Sequence, residues 1–239
     1  GVIVSNATLH NEDEIIRKDI RIGDTVIVER AGDVIPHVVS VDLKKRKKTL
    51  KKFIFPLNCP SCGAKTIKDY NEITKKLDAV RRCVSEGYEC EKIAIEKIKH
   101  FVSKDAFNID GFGKKIVENF WNLKLIKLPQ DIFNLNYKKI EQLEGWGKLS
   151  VSNLKTAVDK SSQVLLEKFI YSIGIRHIGQ ENAKLLGNFF KSITKFIELF
   201  NGSRREDLLK NITELDGIGS AQLKSLEEFF SNKKNEKMV

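Results

Sequence analysis

Along residues 92–230 apolar side chains return every three or four positions, the spacing that lines one face of an α-helix. Ile95, Ile98 and Val102 make one such stripe, and Ile116 with Phe120 and Val117 with Trp121 are i,i+4 pairs. Ala183, Leu186 and Phe190 repeat the pattern, as do Leu223, Leu226 and Phe230. The first 56 residues read as β structure instead. In DTVIVER (24–30) Val26 and Val28 share one side of an extended chain, and VIPHVVSV (34–41) follows an Ala31-Gly32-Asp33 turn, so two strands joined by a turn are predicted. Pro36 suits an edge or a bulge, because it has no amide hydrogen to give to a sheet. So few strands do not close a barrel alone. A strand or two is expected ahead of Gly1, and a first residue other than Met fits a piece of a longer chain. The closing SNKKNEKMV is polar and reads as a linker.

Composition narrows the setting. Of 239 residues, 41% are hydrophobic and 31% charged, enough for packed cores under a charged surface. No window approaches the roughly 20 consecutive apolar residues that span a bilayer, and no signal peptide is visible, so a cytosolic protein is expected. Forty-two basic residues against thirty-two acidic ones leave +10, which favours an acidic partner, nucleic acid above all. A membrane surface or plain solubility fits that charge too, but no basic amphipathic helix with exposed aromatics stands out. DLKKRKKTLKKF (42–53) holds seven basic residues and one acid. It reads as a solvated loop or linker, with a phosphate-contacting edge as the alternative.

All four cysteines lie within residues 59–90. CPSCG places Cys59 and Cys62 on a tight turn: proline fixes φ, glycine permits a left-handed residue, and backbone amides can point at the sulfurs. A second pair, Cys83 and Cys90, closes a tetrahedral site of four thiolates, whose natural ion is zinc. Disulfides are the weaker alternative, since nothing points to secretion, and four unrelated buried cysteines leave the CPSCG turn unexplained. With sulfur in every position no water can be activated, so the zinc is expected to be structural and to drive folding of its module. Twenty residues separate Cys62 from Cys83 and six separate Cys83 from Cys90, so the second pair is not a CxxC knuckle.

Gly111-Phe112-Gly113, Gly145-Trp146-Gly147 and Gly217-Ile218-Gly219 each precede an amphipathic stretch, and His177-Ile178-Gly179 is a half-match. The final glycines are 34, 32 and 40 residues apart, a repeat of helix–turn–helix units. The first amides of a helix lack intrahelical partners. Glycine lets an anion reach them, and the helix dipole favours negative charge there. Lys114, Lys115 and Lys148 follow the glycines closely and would add attraction, with a DNA phosphate as the natural ligand. The plain alternative is a compact corner between packed helices. Three copies in a basic chain favour the anion, while His177 at a glycine position predicts a weaker grip or mere packing in the third unit.

Three features now stand in a set order: SNATLHN (5–11) with RIGDTVIVERAGDVIP (21–36), then CPSCG, then four glycine hairpins. Together they resemble the bacterial NAD-dependent DNA ligase family, in its region from the OB-fold domain through the zinc finger to the helix–hairpin–helix domain. Ala7–Asn11, Arg30–Pro36, His100-Phe101 and Gly174-Ile175-Arg176 are close matches, and the resemblance covers nearly the whole chain. The loop expected between the cysteine pairs, residues 65–80, and the Cys83–Cys90 interval are longer than the usual pattern, whereas His177 is usual for the third hairpin.

The resemblance implies a multidomain α+β chain: a partial OB-fold β-barrel over 1–56, a small four-cysteine zinc finger over 57–91, an all-α tandem helix–hairpin–helix domain of four hairpins over 92–231, and a polar linker or tail over 232–239. It implies the DNA-binding portion of a monomeric enzyme, cytoplasmic and nucleoid-associated. That enzyme seals nicks in duplex DNA, 5′-phosphate to 3′-hydroxyl, in replication and repair. NAD would adenylate a lysine in a separate nucleotidyltransferase domain, with magnesium or manganese required. The Lys-x-Asp-Gly motif of that lysine is absent here, as is the BRCT domain, so no catalytic residue is expected and this stretch alone should be inactive. DNA contacts are implied for Asn6, Thr8, His10 and Asn11; equally, Asn11 reads as the cap of a helix beginning at Glu12, with Glu14 as its capping-box partner. Gly111, Gly113, Gly145, Gly147, Gly179, Gly217 and Gly219, with Lys114, Lys115 and Lys148, complete the expected DNA-binding set. His37, His100, Trp121 and Trp146 read as packing or surface residues, with base stacking by Trp146 as the lesser alternative. Two other classes stay open: a repair nuclease using the same hairpins, for which no carboxylate cluster is evident, and a clamp without chemistry.

Overall fold

The computed structural model describes residues 5–30, 35–71 and 74–239. The expected Ala31-Gly32-Asp33 turn lies outside them. The chain divides into two compact units, Gly1–Ser85 and Glu86–Val239, in a mixed α and β architecture.

The first unit opens with α1 (Glu12–Arg17). Asn11 caps it, its side chain accepting from the Glu14 amide at 3.0 Å. The reciprocal half of the capping box is not made, because Glu14 turns to Arg17 and Lys18 instead, at 2.7 and 3.0 Å. Strand β1 (Val26–Glu29) runs antiparallel to β2 (His37–Val41), Val26 facing Val41 and Glu29 facing His37, with an irregularity between Ile27 and Val28. Thr8 adds a parallel bridge to His37, its amide donating to the Pro36 carbonyl at 2.8 Å. Pro36 thus serves as an acceptor at the sheet's end, where its missing N–H costs nothing. Among the described residues this sheet has two strands and no closed barrel.

A second antiparallel pair follows, β3 (Thr66–Asn71) and β4 (Lys76–Cys83), in register from Thr66 opposite Cys83 to Asn71 opposite Lys76. Arg81 forks onto the Glu12 carboxylate at 3.1 Å for both bonds, and Lys68 reaches Asp13 at 2.6 Å and Glu12 at 3.3 Å.

The second unit is helical: α2 (Glu91–Val102), α3 (Lys114–Asn122), α4 (Tyr137–Glu141), α5 (Lys148–Lys160), α6 (Leu166–Ser172), α7 (Gln180–Phe190), α8 (Ile193–Ile197), α9 (Gly202–Ile212), α10 (Ser220–Ser231) and α11 (Lys233–Glu236). It holds two apolar cores. Ile95, Ile98, Val102, Val117, Phe120, Val151 and Leu154 belong to one; Ile170, Ile178, Ala183, Leu186, Phe190, Leu226 and Phe230 belong to the other. The expected stripes therefore face these cores.

The polar tail corrects the expectation of a linker. Residues 233–236 form α11, Asn235 is buried and donates to the Phe229 carbonyl at 2.9 Å, and Met238 and Val239 pack against the second core. Lys234 fixes the segment by ion pairs to Glu89 at 2.5 Å and Glu86 at 3.3 Å. The two terminal apolar side chains and this cation outweigh the segment's polar composition. Among the described residues no helix is long and apolar enough to cross a membrane.

Candidate nucleic-acid interface and metal centre

Four turns in the second unit share one backbone design. The residue at the first glycine position is left-handed in each: Gly111 at φ 76°, Gly145 at 80°, His177 at 61° and Gly217 at 97°. The next residue turns its amide back three positions, Phe112 to Ile109, Trp146 to Leu143, Ile178 to Ile175 and Ile218 to Leu215, at 3.0–3.2 Å. A positive φ before the closing residue is the requirement of a type II turn, and it explains the glycines. Phe112, Ile178 and Ile218 are buried and Trp146 is half-buried, its ring 5.5 Å from Phe120. The apolar residue thus anchors each corner in a core. His177 does what its glycine counterparts do, and its Nδ1 lies 3.0 Å from the buried Ser225 hydroxyl.

The last glycine of each turn is the N-cap of the following helix: Gly113 for α3, Gly147 for α5, Gly179 for α7 and Gly219 for α10. Their φ values are −73°, −142°, −81° and −100°, ordinary extended backbone open to any residue. A Cβ added at Gly113, Gly147 or Gly179 would meet nothing within 4 Å. Serine or aspartate would cap these helices better, so the chain's own packing does not call for glycine there. What a bare N-cap provides is close approach from outside to the helix's first amides. Lys114, Lys115 and Lys148 are exposed beside two of these corners. Two caps carry an internal partner that sequence reasoning missed: the Gly147 amide donates to Ser150 Oγ at 2.9 Å and the Gly219 amide to Gln222 Oε1 at 3.1 Å. Serine or glutamine three residues past the cap was the available signal.

The thiol ligand atoms of Cys59, Cys62, Cys83 and Cys90 all lie within 4.8 Å of one another. In the CPSCG turn the Gly63 amide donates to the Cys59 carbonyl at 2.8 Å, the Cys59 amide to the Ala64 carbonyl at 2.7 Å, and Gly63 takes φ 74°. Cys83 ends β4 and Cys90 is the buried N-cap of α2. Cys62 and Cys83 sulfurs are 3.5 Å apart, and the Ser85 hydroxyl is 3.2 Å from the first and 3.3 Å from the second. That hydroxyl, then the Ala64 amide, hold the Cys62 thiol down at about 6, while burial and the neighbouring Cys62 sulfur push Cys83 up, so Cys62 is the one of the pair that more readily offers the thiolate a metal needs. A tetrahedral ion with Zn–S bonds of about 2.3 Å sets its sulfurs roughly 3.8 Å apart, so four soft donors this close fit one such ion.

Comparison with known proteins bears on both halves. The OB-fold domain of NAD-dependent DNA ligase matches residues 1–50, and the helix–hairpin–helix motif matches residues 168–239. The chain is 72% identical over 239 residues to a DNA ligase of Pelagibacter ubique, covering all of this chain and 35% of that protein. It is 47% identical over 246 residues to a DNA ligase of Ehrlichia chaffeensis and 42% over 247 residues to one of Parvibaculum lavamentivorans, again along its whole length and over 35% and 34% of theirs. The chain is similar along its whole length to DNA ligases, and its first 50 residues match the OB-fold domain of the NAD-dependent ones. It spans about a third of the length of these ligases.

Within the stretch that matches the ligase OB-fold domain, Asn6 and His10 are exposed and Thr8 is half-buried. Thr8 Oγ1 accepts from the His10 amide at 3.0 Å, and His10 takes φ 62° with its ring 5.9 Å from that of His37. Asn11 differs, because its side-chain oxygen is committed to α1. His100 is a packing residue, its Nε2 2.7 Å from the Tyr171 carbonyl.

Proposed function

We propose that this chain is the part of an NAD-dependent DNA ligase that holds nicked duplex DNA by its sugar–phosphate backbone, so that the longer protein can join a 5′-phosphate to a 3′-hydroxyl. The observation carrying this reading is the set of bare, exposed N-caps at Gly113, Gly147 and Gly179, which internal packing does not explain. Helix amides aimed outward bind phosphate without regard to sequence, as a nick-sealing enzyme requires. Similarity to DNA ligases along the whole chain favours this over a freestanding clamp or a nuclease. Asn6, Thr8 and His10 extend the contact along the OB-fold stretch, while Asn11 serves α1.

The four cysteines hold one structural zinc ion. NAD and a divalent cation act elsewhere in the longer protein, since no Lys-x-Asp-Gly occurs in these 239 residues. Such an enzyme works at the bacterial nucleoid.

The test is Gly113→Val with Gly147→Val. Both positions have permissive angles and open space, so the fold and the zinc content, one ion per chain by elemental analysis, are expected to hold. Affinity for a nicked duplex in fluorescence anisotropy is expected to fall about tenfold or more, as blocked phosphate contacts imply. Unchanged affinity in a folded variant would remove the phosphate-gripping role.

A further inference from the structure

Residues 42–53 are the most basic stretch of the chain, and the glycine corners leave them unused. Their structure is not that of a linker. Asp42 accepts from the Lys44 amide at 3.1 Å and caps a 3-10 turn, Leu43–Lys45. Arg46 then reaches inward: Nε to Asp24 Oδ1 at 2.8 Å, Nη1 to Asp19 Oδ2 at 2.6 Å, Nη2 to Asp24 Oδ2 at 2.7 Å and also to the Asp19 carbonyl. Its side chain is 12% exposed and that of Asp24 only 1%. Arg21 closes the far side, donating to the Leu50 carbonyl at 2.7 Å and to Asp19 Oδ2 at 2.9 Å. The Leu50 amide returns to the Lys47 carbonyl at 3.2 Å.

Two consequences follow from this anchoring. Arg21 and Arg46 are neutralised by Asp19 and Asp24, so neither offers a free charge. Lys44, Lys45, Lys47, Lys48, Lys51 and Lys52 are all exposed, and among the described residues only Lys45 has a carboxylate partner, Asp42 at 3.6 Å. A loop pinned at Arg46 and Leu50 displays uncompensated ammonium groups on a backbone whose ordering is largely complete before any ligand arrives, which lowers the entropic cost of binding. Lysines are compact point charges suited to tracking a charged backbone without reading it. They stand on turns rather than on the amphipathic helix that a lipid interface recruits.

We propose that the pinned lysine loop, residues 44–52, is a second phosphate-contacting surface for duplex DNA, separate from the glycine corners. This rests on the DNA-binding reading above, and the test keeps the two apart. The 239-residue chain and its Lys44→Gln, Lys47→Gln, Lys48→Gln, Lys51→Gln variant are titrated onto a fluorescent nicked duplex between 50 and 200 mM salt. Each lost phosphate contact takes about 0.9 from the slope of log affinity against log salt. The variant is expected to keep the wild-type melting temperature, bind about tenfold more weakly, and show a slope shallower by roughly 2 to 4; the matching lysine-to-arginine variant is expected to restore both. An unchanged slope and affinity in the glutamine variant, while Gly113→Val with Gly147→Val still loses binding, would overturn this inference and leave the glycine corners standing. Failure of the wild-type chain to bind duplex at all would overturn both. Lysine-dependent binding to phosphatidylserine vesicles without any to duplex would overturn it in favour of a lipid surface.

Discussion

His177 holds the position that glycine occupies in the other three turns, with the same left-handed backbone. A non-glycine residue there costs about 1–3 kcal/mol, and histidine is among the side chains that tolerate it. The 3.0 Å contact with Ser225 offsets part of the strain. Valine has no polar atom for that contact, and its β-branching makes the conformation worse. His177→Val is therefore expected to lower the melting temperature of the helical unit by about 4–8 °C, since about 1 kcal/mol moves a chain of this size by 2–4 °C. His177→Gly, which relieves the strain but loses the contact, should shift it by less than half as much. Equal melting of the two variants by calorimetry would detach the choice of histidine from its backbone angle. The other corners were legible in the sequence because a left-handed angle leaves glycine as its mark. The third is half-legible for the same reason: histidine leaves no such mark, yet it adopts the same shape.

Elements were legible where burial imposed a period. Ile95, Ile98 and Val102 are spaced by a helix turn because one core receives all three. The β3–β4 hairpin left no such trace: Ile67, Tyr70, Leu77 and Val80 are between 48% and 62% exposed, so neither strand has a buried face to enforce alternation, and residues 65–80 read as a loop. Ladder bonds, the Arg81 and Lys68 ion pairs and the cysteines hold it instead. Composition marks the basic run as a solvated loop, and its six lysines are exposed, but an average over its charges hides that Arg46 alone turns inward. Composition also misled at the tail, where Met238 and Val239 do the packing. Ending the chain after Ser231 is accordingly expected to remove about 1–3 kcal/mol, from two half-buried apolar side chains, and so to lower the melting temperature by several degrees. A tail that were only a linker could be removed with no shift.

At the scale of the whole molecule the two units are held by different forces. Among the described residues of the first unit Val38, at 4% exposure, and Pro36 are the only buried apolar side chains, while the second unit carries two apolar cores. Hydrogen bonds, ion pairs and the cysteine cluster must therefore supply the first unit's stability, and these respond to pH and to chelators. Arg21, then Arg46, hold the Asp19 carboxyl down at about 2, and Arg17, then Lys18, hold Glu14 at about 2; Arg46 lowers Asp24 and Arg81 lowers Glu12. A carboxyl with a depressed folded pKa adds stability in full above its unfolded value, about 4, and loses it as pH falls toward the folded value. Between pH 4.5 and 2 the first unit should loosen while the helical cores, whose stability is apolar, persist. Amide exchange is the measurement: protection at residues 35–41 and 66–83 is expected to collapse on acidification, with protection around Ile98, Phe120, Leu186 and Phe230 retained. If the four cysteines hold the proposed zinc ion, a chelator at neutral pH is expected to loosen residues 59–83, which carry three of them, and to spare 35–41. Simultaneous loss of protection across both units under either treatment would mean that one cooperative transition, rather than two kinds of cohesion, governs the chain.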